Sequence, residues 1–196
     1  MEPWLQILII VLSIVLGLGV IFSIFCLFFI SYRIYRGVLI RVNKDKWTRT
    51  CSAPEDPSMV EMWNLGLEWG KANQEFMKVV SIKNDGLNLF GEFFNFGFER
   101  TALIIQGRSE CCKYSYFYAM PYREAGYNVL VIDTRAHGHS DGKQEDMTVL
   151  NEIADVFAVI QYVQNLGYSN IYLLGHSQGG VVASMVAGYY HDIIKG

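Results

Sequence analysis

The sequence predicts an α/β fold, a mostly parallel sheet with helices on both faces, preceded by one membrane-spanning helix. Residues 5–30 are apolar and uncharged, and this run exceeds the ~20 residues that a helix needs to cross a bilayer. Strand and helix patterns alternate from residue 101 onward, which is typical of a parallel sheet covered by helices. Residues 175–179 (Gly-His-Ser-Gln-Gly) lie between the last strand pattern and the last helix pattern.

The apolar run predicts a membrane anchor over residues 1–31. A cleaved signal peptide fits less well, because Glu2 stands where a basic segment is expected and no small-residue cleavage motif follows. The basic residues that follow the run are Arg33, Arg36, Arg41, Lys44, Lys46 and Arg49. The positive-inside rule therefore places the globular part in the cytoplasm. We expect the basic linker, residues 32–56, to lie against anionic lipid headgroups.

The rest of the chain is acidic, and the whole chain carries a formal net charge of −3. This charge argues against nucleic acid as a partner. The 4 cysteines show no Cys-x-x-Cys spacing and predict free thiols rather than a disulfide framework. Because no Cys, His or carboxylate cluster has the spacing of a metal site, we expect neither a metal nor a cofactor.

A linking helix and a β-hairpin are predicted to follow the basic linker. Asp56-Pro57 combines an N-cap residue with proline at the first helical position, which predicts a helix within the linking segment, residues 57–76. Apolar runs at residues 77–82 and 87–96 flank Asn84-Asp85-Gly86. A turn sequence of this type between two strand patterns predicts a hairpin.

Three strand–helix units complete the globular domain, which is predicted to span residues 77–196. The strands are predicted at residues 101–106, 127–133 and 170–174, and the helices at residues 112–125, 148–166 and 180–187. Each strand has a continuous apolar centre, as expected for strands that are buried on both faces. Gly126 and Gly167 follow the first two helices and predict their C-terminal caps.

Four features in this order resemble the α/β-hydrolase superfamily, and within it the serine aminopeptidase and monoacylglycerol-lipase-like branch. They are the hairpin turn at residues 84–87, Gln106-Gly107 after the third strand, the loop at residues 133–140 after the fourth strand, and the turn at residues 175–180. Gly-x-Ser-x-Gly between a strand and a helix is the context of a nucleophile elbow. The resemblance covers residues 77–196 and implies the N-terminal part of an α/β-hydrolase fold.

The resemblance also implies the roles of individual residues. Ser177 would be the nucleophile that attacks an ester or amide carbonyl and forms an acyl-enzyme. The backbone N–H groups of Arg108 and Gln178 would form the oxyanion hole. Gly175 and Gly179 would be the glycines that give the elbow room for its sharp turn.

The chain departs from the family's pattern in two places. Gln106 replaces the histidine that family members usually carry, although an oxyanion hole made of backbone N–H groups does not need that side chain. The triad acid and histidine of the family follow the serine, and none of the 4 histidines matches the catalytic one, so we expect both to be absent from this chain. His137 and His139 match a structural loop in which Asp133 and Arg135 tie the turn.

The sequence therefore predicts a membrane-anchored, serine hydrolase-like protein that is incomplete as written and turns over poorly by itself. Two alternatives stay open: a non-catalytic binding or interaction module, and one half of a split enzyme. The expected partners are the lipid bilayer and, once the site is complete, a lipid or small-molecule ester or amide. Because further strands are missing, the strand at residues 170–174 is expected at an exposed edge, where self-association can occur.

Overall fold

The computed structural model describes residues 2–39, 53–54, 56–192 and 194–195. The chain divides into two compact units, Met1–Val42 and Asn43–Gly196, and each is described by itself below. Most of the predicted basic linker lies outside the described residues.

The first unit is a single long helix, α1, over Pro3–Ile34, which continues as a short π-helical turn over Tyr35–Leu39. The 32 residues of α1 rise ~48 Å at ~1.5 Å each, and a bilayer core is ~30 Å thick. The segment Pro3–Gly37 is long and apolar enough to cross a membrane. The prediction of one long apolar helix at the N-terminus is confirmed, and the helix extends past the predicted end at residue 31.

The second unit contains the predicted elements in the predicted order. Its helices are α2 (Pro57–Ala72), α3 (Cys112–Glu124), α4 (Val149–Asn165) and α5 (Gln178–Tyr189), and its strands are β1 (Met77–Asn84), β2 (Leu87–Phe94), β3 (Arg100–Ile105), β4 (Tyr127–Ile132) and β5 (Asn170–Gly175). The Asp56 carboxylate caps α2 by accepting a hydrogen bond from the Ser58 amide at 2.8 Å. In the hairpin turn, Asp85 and Gly86 both have positive φ, as a two-residue turn between twisted strands requires.

The five strands form one sheet in the order β1-β2-β4-β3-β5. β4, β3 and β5 are parallel to one another, whereas β1 pairs with β2, and β2 with β4, in antiparallel fashion. The sheet is therefore mixed, as predicted for a parallel sheet with an N-terminal hairpin. The strands β4, β3 and β5 form the parallel part, and the hairpin adds β1 and β2 in antiparallel fashion.

Helices cover both faces of this sheet, as predicted. Leu103 and Ile105 belong to the apolar cluster beneath α4 and α5, while Ile104 between them belongs to the cluster beneath α3. This alternation follows from the two-residue period of a strand. Because β3, β4 and β5 are parallel, their carboxyl ends lie at the same end of the sheet. The loops that follow these strands carry the polar residues.

The strand β5 lies at the end of the sheet, as expected. On its free side, within the described residues, only a short stretch pairs with it: Ile194 bridges Ile171 in parallel, and the Lys195 amide donates to the Ile171 carbonyl at 3.0 Å. Beside α3 an open, largely apolar groove of about 750 Å³ runs past Tyr118 and Leu174. Within the described residues, the free edge of β5 is thus paired only over a short stretch, and the groove beside α3 leaves part of the sheet face near Leu174 accessible.

The cysteines depart from the sequence-based expectation at one position. Cys26 and Cys112 carry free thiols, and burial raises the pKa of the Cys112 thiol well above its usual range, which keeps it protonated and unreactive. Cys111, in contrast, is disulfide-bonded. The prediction that all cysteines are free is therefore wrong at Cys111.

Candidate functional site

The turn between β5 and α5 holds Ser177 in a conformation that few residues adopt. Ser177 has φ 52° and ψ −117°, a region in which L-residues are strained by roughly 1–3 kcal/mol. Its side chain is nevertheless exposed rather than engaged in a hydrogen bond to cap the helix. A serine that is strained, exposed and placed at a helix N-terminus has the geometry of a nucleophile elbow.

The glycines on either side of Ser177 are required by close backbone contacts. A Cβ atom on Gly175 would collide with the backbone of Gly179, and a Cβ atom on Gly179 would collide with the carbonyl oxygen of Ile105. The elbow is therefore packed directly against the end of β3. The His176 amide donates to the same Ile105 carbonyl at 3.1 Å, which fixes the distance between the two strand ends.

Gln178 begins α5 directly after the serine. Its amide N–H makes no hydrogen bond within the part of the chain that the structure describes, because the first N–H groups of a helix have no intrahelical acceptor. The positive end of the α5 dipole lies at the same place. The Gln178 side chain points elsewhere and donates to both carboxylate oxygens of Glu152 at 2.8 Å.

The loop after β3 meets the elbow at a small cavity. Gly107, Arg108 and Gln178 all line it. The structure therefore brings together the two residues whose amides would form an oxyanion hole according to the family resemblance. Gln106 is 3% exposed, and its side-chain amide lies 3.2 Å from the Thr134 hydroxyl. This side chain ties the loop to the end of β4.

The loop after β4 is held by buried polar groups, in agreement with the structural role implied by the resemblance. The Asp133 carboxylate accepts from the Cys112 amide at 2.7 Å and from the His139 amide at 2.8 Å. Arg135 forms a buried ion pair with Asp155, with Nε to Oδ2 at 2.6 Å. Burial raises the pKa of Asp133, although its two backbone donors act in the opposite direction.

His137 links the loops after β3 and β4. It is 1% exposed, and its Nε2 accepts from the Ser109 amide at 3.2 Å. Its Nδ1 lies 3.1 Å from the Arg135 carbonyl oxygen, and a carbonyl can only accept. The neutral imidazole with the proton on Nδ1 satisfies both contacts.

The other three histidines also have contacts away from the nucleophile. The His139 ring packs against Phe90, His176 pairs with Glu110, and His191 lies 3.3 Å from Asp192 at an exposed position. No hydrogen bond joins a histidine to Ser177 within the described residues. In the part of the chain that the structure describes, Arg108 and Gln178 thus line one cavity beside the turn that holds Ser177, and no histidine is hydrogen-bonded to Ser177.

Two glutamates near the elbow were missed by the sequence reasoning. Glu152 is 2% exposed, and burial raises its pKa; its position among the apolar residues of α4 was the available signal. Glu110 contacts both Gly107 and His176, and no sequence pattern distinguishes it from an ordinary loop glutamate. Within the described residues no group of three or more Cys, His, Asp or Glu side chains can hold a metal ion.

Comparison with known proteins agrees with this geometry. Residues 103–196 match the family described as alpha/beta hydrolase fold. Epoxide hydrolase 4 from Mus musculus is 32% identical over 83 residues, which are 41% of this chain and 22% of that protein.

Two solved structures have a similar fold over part of this chain. Est1E from Butyrivibrio proteoclasticus, determined with ferulic acid bound, is 32% identical to this chain with a TM-score of 0.55. The aligned region is 59% of this chain and 49% of the Est1E chain. The Pyrococcus furiosus esterase Pf2001 is 27% identical to this chain with a TM-score of 0.53. The aligned region is 63% of this chain and 48% of the Pf2001 chain. The alignments thus span about half of each solved structure. The mixed sheet with helices on both faces, the family match and these structures together show that the chain has part of an α/β-hydrolase-like fold.

Proposed function

We propose that this chain carries the nucleophile and the oxyanion hole of a membrane-anchored serine hydrolase that cleaves esters or amides through an acyl-enzyme on Ser177. The observation that carries the proposal is the backbone of Ser177, at φ 52° and ψ −117° with an exposed side chain. Strain of this size persists only where the surrounding structure enforces it. Here the collisions that exclude any side chain at Gly175 and Gly179 show how tightly the turn is enforced.

The chemistry follows from the groups around the elbow. The Ser177 hydroxyl attacks the substrate carbonyl, and the negative charge that develops on the carbonyl oxygen is held by the Gln178 and Arg108 amides. A single donor of this kind contributes about 3 kcal/mol of transition-state stabilisation. The attack also requires a base, because a free serine hydroxyl is a weak nucleophile at neutral pH. The base passes the serine proton to the alcohol or amine that leaves as its bond to the carbonyl carbon breaks. Water then attacks the acyl-enzyme, which releases the acid product and restores the Ser177 hydroxyl.

The base and its acid partner are proposed to come from protein outside these 196 residues, either from the same polypeptide or from a second chain. Each histidine contacts another residue, and within the described residues none is hydrogen-bonded to Ser177. The similarity to the esterase Pf2001 from Pyrococcus furiosus favours esters over amides as substrates. A membrane anchor would bring the site close to lipid esters, which are the proposed substrate class.

The helix α1 is proposed to anchor the protein in the bilayer, with the globular part in the cytoplasm. The basic residues after α1 favour this orientation. The disulfide at Cys111 counts against it, because disulfides are rare in reducing compartments. Protease added to sealed cells decides between the two sides. A globular part that resists digestion until the membrane is opened supports the proposal, and immediate digestion contradicts it.

Labelling with a fluorophosphonate probe tests the serine chemistry. We compare the membrane-inserted chain with Ser177→Ala, and use Ser184→Ala as the control because Ser184 is an exposed serine of α5 whose hydroxyl donates to the Gly180 carbonyl. Labelling that is lost only in Ser177→Ala means that an imidazole reaches Ser177. Labelling that appears only when a downstream sequence or a second chain is supplied means that the base lies there. No labelling under either condition contradicts the proposal and favours a non-catalytic binding module.

A further inference from the structure

Glu110 occupies a position between the two halves of the proposed oxyanion hole. It lies in the loop between β3 and α3, and its side chain is only 15% exposed. One carboxylate oxygen, Oε2, accepts a hydrogen bond from the Gly107 amide at 2.7 Å. The other, Oε1, lies 2.9 Å from Nδ1 of His176. A single carboxylate therefore contacts the loop after β3 and the residue that precedes Ser177.

The backbone of Glu110 adds a second contact to the same loop. Its amide N–H donates to the Gly107 carbonyl oxygen at 3.3 Å. This carbonyl belongs to the peptide unit that also contains the Arg108 N–H, and in a trans peptide the C=O and the N–H point in opposite directions. Fixing the Gly107 oxygen toward Glu110 therefore fixes the direction of the Arg108 N–H away from it.

On the elbow side, His176 is held by more than the carboxylate. The Tyr118 ring stacks on the imidazole with centroids 5.4 Å apart, and the His176 amide donates to the Ile105 carbonyl. Because the carboxylate only accepts, Nδ1 must carry a proton in this contact. The Glu110–His176 link thus joins the end of β5 to the loop after β3, whereas Gln106 and Ser109 connect that loop to the loop after β4.

We propose that Glu110 is a positioning residue of the oxyanion hole. It holds the Arg108 N–H in the direction in which this group and the Gln178 N–H can donate to the same oxygen, and it does not touch the substrate. This inference rests on the proposed serine hydrolase function. It goes beyond that function because it assigns a role to a residue outside the nucleophile, the hole and the triad. Ser109, directly after Arg108, has φ 66°, a conformation that persists only where surrounding contacts hold the backbone.

Two measurements on the full chain in detergent micelles test the proposal. The first is backbone hydrogen exchange over residues 106–110, which needs no catalysis. In Glu110→Ala we expect exchange at the Gly107 amide to become about tenfold faster, because this amide loses its hydrogen bond to the carboxylate. Exchange in β4 and α5 should stay unchanged. Glu110→Gln should lie between wild type and Glu110→Ala, because its single carbonyl oxygen replaces only one of the two acceptors. Glu99→Ala, at an exposed glutamate, is the control.

The second measurement is the rate of fluorophosphonate labelling in whichever form of the protein labels at Ser177. Loss of an entire oxyanion donor lowers the rate about 10²- to 10³-fold, so a displaced donor in Glu110→Ala should lower it about 10- to 100-fold. If wild type never labels, the proposed function fails, and exchange alone still decides the role of Glu110. Unchanged exchange at Gly107 in Glu110→Ala overturns the proposal, as does a general rise in exchange across β4 and α5, which marks a merely structural residue.

Discussion

The ion pair between Arg135 and Asp155 allows the most quantitative prediction. The Asp155 carboxylate accepts from Arg135 Nε at 2.6 Å, from Arg135 Nη2 at 2.7 Å and from Asn84 Nδ2 at 2.7 Å. The two charged side chains are 3% and 0% exposed. Removing one partner of a buried pair leaves the other charge without compensation and costs about 3–5 kcal/mol. We therefore expect Asp155→Ala to lower the free energy of unfolding by that amount.

Urea unfolding followed by tryptophan fluorescence measures this loss. The double variant Arg135→Met/Asp155→Leu should recover most of it, because both charges are then removed and the volume is filled by apolar side chains. The control is Lys143→Met/Glu145→Gln, which removes an exposed pair at 3.9 Å and should change stability by less than about 1 kcal/mol. A loss below about 1 kcal/mol in Asp155→Ala, or a double variant as unstable as the sum of the single ones, would refute the reasoning.

Three further predictions follow from other buried or strained positions. Burial raises the pKa of Glu92, so the fold favours its neutral form; its stabilising contribution is complete below the unfolded pKa and decreases as pH rises through the raised value. Glu92→Gln should therefore gain stability relative to wild type as pH increases in thermal melts, and parallel pH profiles would contradict this. Gly179→Ala should cost about 1–3 kcal/mol, since the added methyl meets backbone atoms, whereas Gly188→Ala, with open space around it, should not destabilise; equal melting temperatures for the two variants would count against the packing argument. Ser177→Gly should be about 1 kcal/mol more stable than Ser177→Ala, because glycine alone tolerates this φ and ψ without strain, and the reverse order would show that the turn is unstrained. Self-association through the β5 edge is expected as well, and light scattering should show less of it in Tyr172→Lys, since a charge on an edge strand opposes pairing.

Most of the fold could be predicted because the signals are local. The apolar run of α1, the Asp85-Gly86 turn and the Asp56-Pro57 start of α2 each depend on a few adjacent residues, and each element is present in the structure. Strand ends differ by one or two residues, as expected where chain direction changes within a turn. The antiparallel pairing of β2 with β4 joins segments distant in the chain, and no local pattern indicates it.

The candidate site divides in the same way. The sequence by itself indicated Ser177 as the candidate nucleophile, because Gly175, Ser177 and Gly179 belong to one tight turn between a strand and a helix. Only the tertiary structure showed that Glu110 and Glu152 lie beside that turn. A loop or helix glutamate carries no sign of its partner until the ends of β3 and β5 are brought within hydrogen-bonding distance by the sheet. Contacts within a turn can be predicted because they involve consecutive residues. Contacts between strand ends depend on the order of the strands in the sheet, which places β3 next to β5.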